Sequence, residues 1–165
     1  MVKRILNWIS TAIVIIAVVL SILFVGVRLL GYRPFAILSP SMTPEYRVGD
    51  LIYVKGEEFE NIGVGDVITC VVDDNLTTVT HRVVRVDAEE KCFFTKGDAN
   101  DSEDTAPRYY ENVVGVVKFS IPFIGYISMF FANPFGRYVT IAVVAAVILL
   151  VFLPDILKYL RKNPE

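Results

Sequence analysis

Residues 77–86 read Thr-Thr-Val-Thr-His-Arg-Val-Val-Arg-Val. Valine and threonine branch at Cβ and suit a pleated, extended backbone better than a helix. Along Thr-His-Arg-Val-Val-Arg-Val at 80–86 polar and apolar side chains partly alternate, as on a strand with one buried face. Four further runs have this character: Leu-Ile-Tyr-Val at 51–54, Val-Ile-Thr-Cys-Val-Val at 67–72, Cys-Phe-Phe-Thr at 92–95 and Val-Val-Gly-Val-Val-Lys-Phe at 113–119. Gly, Asp and Asn, which favour turns, separate them. Val-Gly-Asp-Leu-Ile at 48–52 is echoed by Val-Gly-Asp-Val-Ile at 64–68, each a Gly-Asp turn feeding a strand. The pattern predicts a mainly β domain, either a small coiled antiparallel sheet or a partly closed β-barrel.

Outward from this region the composition changes. The chain has 165 residues, is 54% hydrophobic and has a mean hydropathy of +0.53. Soluble domains average about 45–50% apolar residues, so part of this surplus faces lipid. It lies in two stretches. Ile5 to Val27 holds no charged residue. At about 1.5 Å per helical residue it reaches the roughly 30 Å of a bilayer core. Tyr138 to Pro154 is also uncharged, and its about 17 residues stand at the short end for a span. The Asn-Pro-Phe-Gly-Arg segment before it gives a helix start. The expected organisation is a cytoplasmic N-terminus at 1–4, a transmembrane helix at 5–30 and a β-rich extracytoplasmic domain at 31–137. A second span at 138–154 and a basic cytoplasmic tail at 155–165 follow. The uncharged aromatic segment 121–131 is expected to return the chain to the membrane surface. Lys3 and Arg4 before the first stretch, and Lys158, Arg161 and Lys162 after the second, place both termini in the cytoplasm of a two-span protein of the cell membrane. Arg28, Arg33 and Arg137 run against that bias, because they fall on the outer side.

Several function classes drop out. Sixteen basic residues against 18 acidic ones give no electrostatic footprint for nucleic acid. Two cysteines cannot build a four-cysteine zinc site, and one histidine rules out multi-histidine metal sites. No metal or organic cofactor is suggested. Cys70 and Cys92 fall in strand-like runs, where a cysteine is most often simply buried; pairing between them is an open alternative.

The chemistry-bearing residues are few. In Ser-Pro-Ser-Met-Thr-Pro at 39–44, Pro40 and Pro44 restrict the backbone on either side of Ser41. The segment begins about ten residues beyond the first span, within about 33 Å of it even if fully extended. A serine hydroxyl needs a base to take its proton. The chain offers one histidine, His81. A histidine base needs a group to hold its tautomer, and the acidic loop at 97–108 supplies Asp98, Asp101 and Asp104. Each fragment alone is weak, since a serine between prolines is commonly a loop residue and a lone strand histidine is commonly structural.

Together and in order, these segments resemble the type I signal peptidases, of the subclass found in archaea, the endoplasmic reticulum and some Gram-positive bacteria. After an apolar span come Ser-Pro-Ser-Met-Thr-Pro, similar to the family's Ser-x-Ser-Met-x-Pro box, and Val-Gly-Asp-Val-Ile at 64–68, similar to its Gly-Asp strand box. His-Arg-Val at 81–83 stands where this subclass has histidine and the common bacterial subclass has lysine. Thr-Lys-Gly-Asp-Ala-Asn at 95–100 with Asp104, and Ile-Pro-Phe-Ile-Gly-Tyr at 121–126, resemble the closing boxes.

The resemblance implies a membrane-bound serine endopeptidase that removes signal peptides from secretory preproteins through an acyl-enzyme. It implies Ser41 as nucleophile, His81 as general base and Asp104 as the group orienting His81. Asp98 is implied in support, and Ser39 with the backbone N–H of Ser41 as the oxyanion hole; Asp101 matches no family position. The implied partners are preprotein signal peptides and membrane lipid, with no nucleic acid and no indication of oligomeric state. Two other readings compete. A Ser–Lys dyad would use Lys55, Lys91, Lys96 or Lys118 as base. A non-enzymatic, membrane-tethered β-domain would bind a partner through its apolar 121–131 segment.

Overall fold

The computed structural model describes residues 2–145. It opens on helix α1, Val2–Phe24, which runs into a 3₁₀ turn at Gly26–Leu30. Seven strands follow: β1 Tyr32–Ala36, β2 Leu51–Lys55, β3 Val67–Val71, β4 Thr78–Asp87, β5 Cys92–Lys96, β6 Arg108–Tyr109 and β7 Val113–Ile121. They form one sheet in the order β1-β2-β7-β3-β4-β5-β6, with every neighbouring pair antiparallel. Each of the five runs read as strands falls on a strand, with only Val72 and Thr77 at the ends of two runs left outside. The fold is mainly β, as expected.

The barrel alternative is corrected. β1 and β6 each pair on one side only, so the sheet is open. β6 is two residues long and offers too little edge to close a ring. These two edges are also the strands that the pattern did not show. Pro34 in β1 cannot donate to a ladder, which restricts such a segment to an edge; there it pairs opposite Tyr53.

The long strand β7 lies between β2 and β3 and serves two cores. Val113 and Val116 pack with Ile62, Ile68, Cys70, Val83 and Phe93. Val114 and Val117 pack with Ile37, Ile52 and Val54. Strand side chains alternate with a period of two, so a spacing of three needs an extra residue. The register shift opposite Thr69/Cys70 supplies it. Gly115, at φ +150, sits at this irregularity, and a Cβ there would collide with the Lys55 carbonyl.

α1 is tied to the sheet through Tyr53 on β2. This fully buried side chain donates its hydroxyl proton to the Leu23 carbonyl at 2.9 Å. The last carbonyls of a helix have no partner within it, and this bond satisfies one of them. Phe119 stacks on the Tyr53 ring, with centroids 4.5 Å apart.

Among the described residues the chain divides after Gly125 into two compact units. Helix α2, Gly125–Ala132, starts at this boundary, and from Tyr126 on it lies in the second unit with α3, Pro134–Ala145, which it meets at a 92° bend. Asn133 caps α3, its side-chain oxygen accepting from the Phe135 N–H at 2.9 Å, and Pro134 occupies the first helical position. At Gly136 a Cβ would strike the Phe130 carbonyl, so the corner needs glycine. Among the described residues one helical segment is long and apolar enough to cross a membrane by itself, Thr11–Leu30, and the bent pair α2 and α3 passes the same test only when the two are taken together as one broken span. The Asn-Pro pair that starts α3 also breaks the apolar run before it. Residues 146–154 of the expected second span lie outside the described residues, as does the tail at 155–165.

Candidate active site

Ser41 occupies the middle of a 3₁₀ turn, Pro40–Met42, that follows the extended Ser39. Pro40 pre-sets the backbone angle at the first position of the turn. The turn is closed by Thr43 N–H to Pro40 O at 3.0 Å and Tyr46 N–H to Met42 O at 2.9 Å. Met42 is buried and pins the turn, while Ser39 is exposed and Ser41 half-buried. The two serine hydroxyls lie 3.1 Å apart.

His81 stands on β4 beside the core residue Val83, two positions on and on the same face. Its Nδ1 lies 2.7 Å from Oδ2 and 3.0 Å from Oδ1 of Asp104. With Nδ1–H donating to the carboxylate, Nε2 keeps the lone pair. Asp104 is itself held by Thr95, whose hydroxyl donates at 2.6 Å, and by the Arg108 guanidinium at 3.2 Å. Its backbone N–H donates to the Thr95 carbonyl at 2.8 Å. Burial alone would raise the Asp104 pKa. The donors Thr95, His81 and Arg108 overcome that and hold it below the usual carboxylate value, so the group is an anion at neutral pH.

Asp98 is placed elsewhere. Arg82 grips it with two bonds, Nε to Oδ1 at 2.8 Å and a terminal nitrogen to Oδ2 at 2.7 Å. The same guanidinium reaches Glu45 at 2.7 Å and the Gly65 carbonyl at 2.7 Å. Hydrogen bonding to Asp98 keeps Arg82 charged, raising its pKa above that of a free arginine. Neighbours on a strand face opposite ways, so His81 takes Asp104 and Arg82 takes Asp98. The structure brings Ser39 to Ser41 and Asp104 to His81. It does not bring Asp98 to His81.

Ser39, Ser41, His81 and Asn100 line one cavity of about 260 Å³, with Leu38 and Met42 among its apolar walls. A second cavity, of about 520 Å³, also touches Ser39, Ser41 and Asn100. Among the described residues the Ser41 hydroxyl bonds to Ser39 and not to the imidazole. None of Lys55, Lys91, Lys96 or Lys118 lines either cavity, and Lys118 is paired with Glu57 at 2.7 Å.

No protein-family model matches the chain. Individual proteins do. Signal peptidase I W of Bacillus subtilis is 37% identical over 121 residues, which cover 67% of this chain and 63% of that protein. The signal peptidase complex catalytic subunit SEC11 of Yarrowia lipolytica is 34% identical over 113 residues, 62% of this chain and 65% of the relative. SEC11 of Eremothecium gossypii is 32% identical over 121 residues, 66% of this chain and 72% of the relative. The chain belongs to the signal peptidase family. The aligned region spans less than two thirds of the first two of these signal peptidases.

Within this signal peptidase family member, residue-type reasoning missed Thr95, Arg108 and Arg82 as parts of the site. Thr95 lies in the Thr-Lys-Gly-Asp box, and Arg82 follows His81 directly. The loop at 97–108 carries four carboxylates, and any of them that is buried requires donors nearby, a requirement that points toward these side chains without choosing among them.

Proposed function

We propose that the chain is a membrane-anchored serine endopeptidase that removes signal peptides from secretory preproteins. The single observation that carries this reading is the His81–Asp104 pair at 2.7 Å, whose imidazole lines a cavity shared with Ser41, in a chain of this family. In the proposed reaction the imidazole Nε2 takes the Ser41 proton as Oγ attacks the scissile carbonyl carbon. The C–N bond of the tetrahedral intermediate then breaks, and His81 returns the proton to the leaving amine. Water, deprotonated by the same nitrogen, attacks the acyl-enzyme and releases the second product with Ser41 restored.

Asp104 holds the ring and balances its transient positive charge. Asp98 supports the site at one remove through Arg82, which braces the Ser41 side at Glu45. Developing charge on the substrate oxygen is met by the Ser39 hydroxyl and the Ser41 N–H, donors that are typically worth about 10²–10³ in rate. The Ser41 hydroxyl turns from Ser39 toward His81 when substrate fills the cavity, in keeping with the looser geometry of unliganded sites.

α1 serves as the anchor, with the sheet on the extracytoplasmic side. The apolar stretch 138–154 returns the chain so that both termini are cytoplasmic. Sharing a membrane with the substrate raises the effective concentration of the cleavage site. The test is cleavage of a preprotein in detergent by the full chain and by Ser41→Ala. The expected result is cleavage by the first alone; equal cleavage removes Ser41 as nucleophile.

A further inference from the structure

The charge bias of the sequence leaves Arg28 and Arg33 on the outer side of the anchor with no part in the peptidase reading. The structure brings the two together. The 3₁₀ turn Gly26–Leu30 ends at Gly31, whose φ of +82 and N–H bond to the Arg28 carbonyl at 3.0 Å turn the chain into β1. Arg28 and Arg33 thereby line one cavity of about 470 Å³ with Tyr32, Pro34 and Phe35. Lys55 on β2, the register partner of Tyr32, is not among the lining residues; its Nζ lies 5.4 Å from the centre of the Tyr32 ring. Neither arginine forms an ion pair among the described residues. Beside them Leu29 is 89% exposed and Leu30 69% exposed, directly continuous with the apolar helix.

A cavity lined by paired cations, with bare leucines alongside, has the complementarity of a phosphate group carried on an acyl chain. We infer that Arg28 and Arg33 clamp the headgroup phosphate of an anionic phospholipid at the outer end of α1, with Leu29 and Leu30 seated among its chains. Arginine suits this role because its planar fork meets phosphate oxygens two at a time. The inference rests on the proposed anchoring by α1, but not on the peptidase chemistry.

The experiment uses the full chain in two arms. Flotation with vesicles of phosphatidylcholine alone reads anchoring. Native mass spectrometry in neutral detergent then reads lipid adducts during titration with phosphatidylglycerol, phosphatidylcholine or inorganic phosphate. Phosphatidylglycerol is expected to bind about 25-fold more tightly than phosphatidylcholine, at about 5-fold per arginine. Arg28→Gln with Arg33→Gln should abolish that preference, Arg28→Lys with Arg33→Lys should retain part of it, and Arg137→Gln should leave it intact. Equal binding of the two lipids, a preference that survives the double glutamine variant, or inorganic phosphate binding as tightly as phosphatidylglycerol overturns the clamp. Failure to float with vesicles overturns the anchoring reading, and with it the membrane role of the clamp. Failure to cleave a preprotein touches only the peptidase reading.

Discussion

The backbone N–H of Ala99 donates to the carbonyl of Ser41 at 2.8 Å. This bond joins the acidic loop to the turn that carries the proposed nucleophile, across a long stretch of sequence. Gly97 lies against the same carbonyl. A Cβ at that position would come within 2.7 Å of the Ser41 oxygen and 2.7 Å of the Asn100 side chain. Gly97→Ala is therefore expected to push the loop off the turn, with a stability cost of about 1–3 kcal/mol. Urea unfolding checks the stability, and preprotein cleavage should fall further than the lost folded fraction explains.

Asp104→Asn keeps the size of the side chain but removes the anion and permits the wrong imidazole tautomer. Turnover is expected to fall by about 10³–10⁴, with much less change in KM. Steady-state cleavage kinetics measure this. A variant within about threefold of the parent would show that Asp104 does not orient His81.

Arg82→Met removes the fork that holds Asp98, Glu45 and the Gly65 carbonyl. Hydrogen bonds involving a charged group are worth about 1.5–3 kcal/mol each in favourable settings. This site is partly exposed, so a total loss of about 1–3 kcal/mol is expected, read as a lower urea midpoint. Arg82→Lys should recover little of it, since an ammonium cannot make the two parallel bonds.

Asp104 also sets an acid limit on stability. Its folded pKa lies below the ordinary value of 3.8. The unfolded carboxyl therefore takes up its proton first as the pH falls. The stabilisation is fully present above about 4 and is lost as the pH drops through the lower, folded value. Circular dichroism across this range should show Asp104→Asn less sensitive to acid than the parent.

Burial pushes the Cys70 thiol up to about 12, and Cys92 is likewise raised by burial. Both are free and buried. A thiolate is the reactive form, so neither should react with iodoacetamide at pH 8 while the chain is folded. Both should react once it is unfolded in urea. Mass spectrometry of the alkylated chain distinguishes the two states.

The interior strands were legible because their branched and aromatic runs carry a period that solvent on one face and core on the other impose. β1 was hidden by Pro34, and β6 by having two residues; an edge needs less side-chain signal than a centre. Ser41 and His81 stood out by type and motif. The resemblance favoured Asp104 over Asp98 as the partner of His81, but residue type alone did not separate them, because the choice depends on which face of β4 each acid reaches. That depends in turn on the His81–Arg82 alternation and on how the 97–108 loop folds over it. The break at Asn133 was visible as a helix start, but the same residues also end the preceding apolar run, which a count of uncharged positions overlooks.

The bond from Tyr53 to the Leu23 carbonyl has a mechanical consequence. To swivel or tilt the hydrophilic half about the end of the apolar rod, that bond must open and strand a buried phenol, at a cost of about 1–3 kcal/mol. Thermal energy rarely supplies so much, so the joint behaves as a stiff bracket rather than a swinging tether. The height at which the sheet is carried is thus built into the joinery of one strand and one helix end.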